Sequence, residues 1–244
     1  MVDIRAAFDA SKESPSGTTT IAGYIADASR WQSVQTRWNG QLVLAGLKDF
    51  HLSEIRNRFP NGRWLDVVRP FAQVVRDAEL RSITASLKDS DWSCLDHDSE
   101  YRKVCPQREH ACLDMLFGVL ADDVRLEFNN EPITVVFDND YGNSKSAFRV
   151  YDAWRKRTGH PGFNILMKGG VPWDAVPLQC ADMVAGLLRL NPFSRAMLND
   201  TLKGLDDNDP LAEVANIALS HGRGAMWSAP LAERVEAMLQ RRDQ

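Results

Sequence analysis

The run Ile133-Thr134-Val135-Val136-Phe137 constrains this chain more than any other stretch of it. It is almost continuously apolar and mostly β-branched, with no alternation of polar residues, which is the pattern of a strand covered on both faces. Such a strand lies inside a sheet with helices above and below. The run therefore predicts a central parallel strand in an α/β fold.

The rest of the chain supplies the partners. Ile4, Ala6 and Phe8 alternate with Arg5, Ala7 and Asp9, which predicts a first strand ending in the polar turn 9–17. A second strand over 18–26 would pair with it antiparallel and leave Asp9 where the chain departs from the sheet. Ser29 and Gln32 have capping-box spacing, and Trp31, Val34, Trp38 and Leu42 make one core-facing stripe of a helix over 30–45 that stops at Gly46. Further on, the patterning predicts a helix over 64–78 that Pro70 kinks or shortens, and a strand over 80–87 with Ile83 and Ala85 inward. It then predicts a loop over 89–104, a long helix from Pro106 through Leu126, a helix over 144–157, a strand over 163–167 and a helix over 177–190. Residues 194–242 read as two or three short amphipathic helices, broken at 206–210. The expected organisation is one domain over 1–190 with a helical extension, 191–244, packed on it.

Composition narrows the function classes. Hydrophobic residues are 44% and charged residues 25% of the 244, which is ordinary globular protein. A net charge of -4 excludes a protein that coats nucleic acid through bulk charge, so any such binding needs a local patch. No apolar run approaches the ~20 residues of a membrane span, and the opening Met1-Val2-Asp3-Ile4-Arg5 lacks a signal-peptide core, so the cytoplasm is the expected compartment and no membrane the expectation for partners. The four cysteines are too few for a disulfide framework and are expected as thiols.

Asp182 carries the strongest chemical signal, because between Cys180 and Leu190 the only charged residues are Asp182 and Arg189. A helix apolar all round is buried, and a carboxylate inside it must be paired, hydrogen-bonded or metal-bound. A buried arginine partner, a backbone cap and a site role are all open readings. Asp138 follows the buried strand, at the carboxyl end where sites in open α/β sheets gather, while Asp140 suits a cap for the next helix. If the first and fourth strands are neighbours, Asp9 and Asp138 lie about one strand spacing apart, ~5 Å. Bare carboxylates that close repel, and Mg²⁺ or Mn²⁺ with oxygen ligands removes the repulsion. The expectation is one divalent-metal site built from aspartates on separate strands and a helix.

Four segments, Asp9-Ala10-Ser11, Phe50-His51-Leu52-Ser53-Glu54, Phe137-Asp138-Asn139 and Leu178-Gln179-Cys180-Ala181-Asp182-Met183-Val184-Ala185-Gly186, occur in an order of elements that resembles the domain of unknown function 3800 family. The resemblance spans about residues 4–190, and its last segment is the most specific. It implies an RNase H-like mixed sheet flanked by helices and a metal-dependent nuclease-like site, with Asp9, Asp138 and Asp182 holding the ions and His51 or Glu54 nearby. Such a site would use two ions about 4 Å apart for in-line attack on a DNA or RNA phosphodiester. His51 would shuttle a proton, and Lys12, Lys145 and Gln179 would be substrate contacts. For His51 and Glu54, a packed histidine and a solvated or capping glutamate are equally open. The family reads Asp-Glu-Ser-Gly after the first strand, whereas this chain has Asp9-Ala10-Ser11-Lys12. Lys12 brings a positive charge near the ions or contacts a phosphate. Ala10 and Lys12 motivate an alternative, a catalytically inactive binding or assembly subunit with a protein partner or a second copy of itself.

Two weaker patterns remain. Cys94, His97, Cys105, His110 and Cys112 offer zinc-type ligands at a spacing that matches no standard zinc site, so free thiols and solvated histidines are the plainer reading. Gly142-Asn143-Ser144-Lys145-Ser146 opens a helix after a strand and suits a phosphate, and hence a nucleotide, without the full P-loop spacing. Arg155-Lys156-Arg157 either extends that patch or complements the helix dipole.

Overall fold

The computed structural model describes residues 3–11, 17–94, 99–138, 144–167, 175–190 and 209–226. Six strands, Ile4–Ser11 (β1), Thr18–Asp27 (β2), Arg81–Lys88 (β3), Ile133–Phe137 (β4), Asn164–Met167 (β5) and Arg223–Met226 (β6), form one mixed sheet in the order β5-β4-β1-β2-β3-β6. The run that most constrained the fold, β4, pairs parallel with both neighbours, β1 and β5. β2 runs antiparallel to both β1 and β3, and β6 runs parallel to β3 at the far edge.

Helices cover both faces: Ala28–Ala45 (α1), Leu52–Arg58 (α2), Trp64–Asp77 (α3), Asp89–Ser93 (α4), Glu100–Val104 (α5), Arg108–Glu127 (α6), Ser144–Thr158 (α7), Ala175–Leu190 (α8) and Pro210–Ala218 (α9). Strand alternation sorts the core into two layers. Ile4, Ala6 and Phe8 of β1 join Ile21, Ile83 and Val135 against Phe117 of α6 and Tyr151 and Trp154 of α7. On the other face Ala22 and Tyr24 pack with Trp38, Phe50, Phe71 and Met183, while Ala7 and Val136 meet Leu178 of α8. Because side chains repeat every second residue, Asp9 and Asp138 share the α8 face with Ala7 and Val136.

Several local expectations hold and others are corrected. The buried residues of α1 are Trp31, Val34, Trp38 and Leu42, and Gly46 ends it with φ 63° in the left-handed region. Its cap, however, is Asp27, which accepts from Arg30 N–H at 2.9 Å while Ser29 Oγ donates to the same carboxylate. β2 runs straight into the helix, so the last strand residue reaches the first turn before Ser29 does. Pro70 does not shorten α3: Val68, Phe71, Ala72, Val74 and Val75 are buried along it, and that apolar face outweighs one missing backbone bond.

Residues 89–104, expected as loop, contain α4 and α5, each a turn of helix anchored by Trp92 and Tyr101 and too short to show a period. β1 extends through Asp9 to Ser11, with Asp9 opposite Ala22, so Asp9 lies within the strand and not at the turn. The extension expected to be wholly helical carries α9 and then β6, because the short segment 223–226 finds the open edge of β3. Tyr24 Oη donates to Ala218 O at 2.9 Å, tying α9 to the central sheet. Among the described residues no helix is long and apolar enough to cross a membrane.

A Cβ at Gly222 would overlap Ser82 Oγ on β3, so the approach to β6 needs a glycine there. Gly222→Ala should destabilise the fold by about 1–3 kcal/mol and speed amide exchange over 223–226. Thermal unfolding with hydrogen exchange checks this, and wild-type values in both would show that the edge strand does not depend on that contact.

Candidate functional site

The site begins with one face of α8. Gln179, Asp182 and Gly186 follow each other at helical spacings of three and four, so they lie on a common side. Gln179 Oε1 accepts from the Trp38 indole N–H at 2.9 Å and from Phe50 N–H at 3.2 Å. Asp182 Oδ2 accepts from Leu52 N–H at 2.8 Å, the first amide of α2. A Cβ at Gly186 would overlap the Leu52 side chain, so its absence makes room for that residue. The most specific stretch of the sequence is thus a dock for residues 50–52.

That dock forms one wall of a cavity of about 430 Å³ whose lining includes Asp9, Asp138, Asp182, His51 and Gln179. The β1–β4 ladder ends at Phe8 opposite Phe137, so Asp9 and Asp138 are the next residues of two adjacent parallel strands. Both line the same cavity as Asp182, and the Asp138 charge acts on it. Asp9 Oδ1 also accepts the Ala10 N–H at 2.7 Å. Asp49 adds a fourth carboxylate to the lining. It precedes the docked segment in a stretch without periodicity, and only its neighbour His51 carried a sequence signal.

The electrostatics follow from burial first and from this crowding second. Burial pushes the Asp182 carboxyl above the ordinary value of 3.8, and the Asp138 charge adds to the rise. The Leu52 N–H, His51 and Arg189 pull the other way without overcoming burial. No Lys or Arg lines the cavity among the described residues. Asp182 therefore accepts from a backbone amide, one of the readings open from sequence, and also lines the cavity.

The remaining expected residues fall elsewhere. Glu54 is exposed in the first turn of α2, where its charge complements the helix dipole, and it is not part of the lining. Gln179 lines the cavity with its carbonyl oxygen already committed to Trp38 and Phe50, which makes it a positioning residue first. Lys12, Asp140, Gly142, Asn143 and His97 lie outside the described residues, as does the side chain of Lys145 in the first turn of α7. Cys94 is exposed, whereas Cys105, Cys112 and Cys180 are buried free thiols, and Cys112 Sγ donates to Thr19 O. Burial raises the Cys105 and Cys112 thiols far above their ordinary value, which opposes the thiolate a zinc site needs. Arg157, expected in a basic patch or at the helix dipole, instead pairs with buried Asp114 at 2.6 Å.

Among the described residues no three His, Cys, Asp or Glu side chains stand close enough together to hold a metal ion as they are. The donor set is nonetheless that of a hard divalent cation, all carboxylate oxygen plus one imidazole. In comparisons with known proteins the chain matches no family model, no curated protein and no solved structure.

The raised Asp182 value fixes a sign. A carboxyl whose folded pKa lies above its unfolded value favours the protonated native state, so its ionisation lowers stability as pH climbs from about 3.8 through the raised value. Asp182→Asn keeps an oxygen for Leu52 N–H and removes the charge. Without divalent ions, its melting temperature relative to wild type should therefore be more favourable at pH 7 than at pH 3.5. Calorimetry at the two pH values checks this, and a difference of opposite sign would mean that the charge is stabilised in the native state.

Proposed function

We propose that this chain is a metal-dependent phosphodiester hydrolase on an RNase H-like fold, acting on DNA or RNA with Mg²⁺ or Mn²⁺ at the cavity between β1, β4 and α8. The observation that carries the reading is the meeting of Asp9, Asp138 and Asp182, from two strands and a helix, in one acidic cavity. The mixed sheet with helices on both faces supports the fold assignment. These are also the residues that the resemblance to the domain of unknown function 3800 family implies.

Asp9 and Asp138 would hold the ion from the sheet side, and Asp182 from the helix side. A divalent ion bound there supplies charge neutralisation and an activated water for attack on a phosphodiester. The chain's own contribution is placement. The Phe8–Phe137 register keeps two carboxylates abreast, and Leu52 N–H holds one Asp182 oxygen in position, so the other is the one that would reach the ion. His51, exposed beside them and lining the same space, is placed to pass a proton between the cavity and solvent. Gln179 fixes the segment that carries His51.

A second reading is a catalytically inactive binding or assembly subunit. It is favoured by the absence, among the described residues, of a ready-formed three-ligand group. Ala10, which also lines the cavity where the resembled family has glutamate, favours it too.

Purified protein given Mn²⁺ or Mg²⁺ with single- and double-stranded DNA and RNA separates the two. Hydrolysis that needs the ion and falls at least about 100-fold in Asp138→Asn and in Asp182→Asn is expected, since even outer partners of a metal site are worth 10–100-fold. Cleavage that survives both substitutions would belong to a contaminant and reject the reading. Nucleic-acid binding without any cleavage would assign the second.

A further inference from the structure

A second cavity, of about 240 Å³, opens on the opposite layer of the sheet, where α5, the start of α6 and α7 come together. Its polar lining is Lys103, Gln107, His110 and Arg149, with Val150 among the apolar walls. Three independent features meet there. Gln107 occupies the N-cap of α6, a helix of 20 residues, without a side-chain hydrogen bond to the first turn. The His110 and Ala111 amides turn back to Gln107 O at 3.1 and 3.3 Å. The amides of Arg108 and Glu109 are left to solvent or a ligand.

His110 is only 6% exposed, and its Nδ1 is buried with no hydrogen-bond partner. A buried ring nitrogen left without a partner is costly, and a bound water or ion is one way to satisfy it. Arg149, exposed on α7, acts on the ionisation of His110 from across the cavity and makes no ion pair among the described residues. Lys103 stands at the rim, paired with Glu100. Two carboxylates oppose these, Glu100 on Lys103 and Glu109 in the first turn of α6.

A helix N-terminus carries about half a positive charge, and a guanidinium presents a fork of donors matched to tetrahedral oxyanions. We propose that this cavity binds a phosphoryl group, held by Arg149, by the free amides at the start of α6 and by His110 Nδ1. Burial lowers the His110 pKa, so the charge at the site comes from Arg149 and the helix end while Nδ1 serves as a hydrogen-bonding group. The cavity lies across the sheet from the aspartates, and the proposal does not depend on the hydrolase reading.

Calorimetric titration of the full chain with inorganic phosphate tests it, with ¹⁵N-histidine spectra following the His110 ring. Saturable binding that shifts the ring is expected, weakened about tenfold or more in Arg149→Ala and in His110→Gln. Arg149→Lys should recover part of the loss, and Asp138→Asn should bind as wild type does. Oligonucleotides then identify the source of the phosphoryl group. Displacement of phosphate only by a 5′-phosphorylated strand assigns a terminal monoester, displacement also by an unphosphorylated strand assigns the diester backbone, and displacement by neither assigns free phosphate. No saturable binding at millimolar phosphate, binding indifferent to Arg149→Ala, or binding lost in Asp138→Asn would each overturn the proposal.

Discussion

The hydrogen bond from Leu52 N–H to Asp182 is the contact on which the rest of the site depends. It caps a short helix that has no side-chain cap of its own, and it ties α2 to the most buried helix on that face. Gln179 holds Phe50 one turn earlier, and Gly186 leaves room for Leu52 one turn later. Phe50 in turn packs tilted against Trp38 and edge-on with Phe71, so the anchored segment is also part of the aromatic core. Without this dock, His51 and Asp49 would have no fixed relation to the sheet.

The same bond explains how a carboxylate persists in an apolar helix. Leu52 N–H offsets part of the desolvation of Asp182, yet burial and the nearby Asp138 still leave its charged form disfavoured. The β1–β4 register adds Asp9 beside Asp138, and Asp49 lines the same space. A core packed for stability alone would not gather four carboxylates in one cavity with no Lys or Arg among the described lining residues. The disfavoured charge on Asp182 is a cost to the native state that the proposed cation would relieve.

What the sequence disclosed depended on how much physics each segment expresses locally. β4 was legible because burial on both faces removes all alternation, and α1 because Trp31, Val34, Trp38 and Leu42 repeat with the helical period. Asp182 stood out as one of only two charges in a long apolar stretch. Its bond to Leu52, 130 residues away in the chain, was not legible, because it depends on how α2 packs against α8. Asp49 was missed for the same reason, since cavity lining is a property of packing and leaves no period. α4 and α5 are single turns, and β6 is four residues that owe their conformation to the free edge of β3. Asp27 took the cap from Ser29 because β2 and α1 join without a loop, a junction the capping spacing does not encode.

Electron paramagnetic resonance of Mn²⁺ added to the full chain measures most directly whether the acidic cavity is a cation site. Saturable binding in the wild type that is lost in Asp9→Asn and in Asp138→Asn is the predicted result. Equal Mn²⁺ binding in wild type and both variants, or none in the wild type, would contradict it.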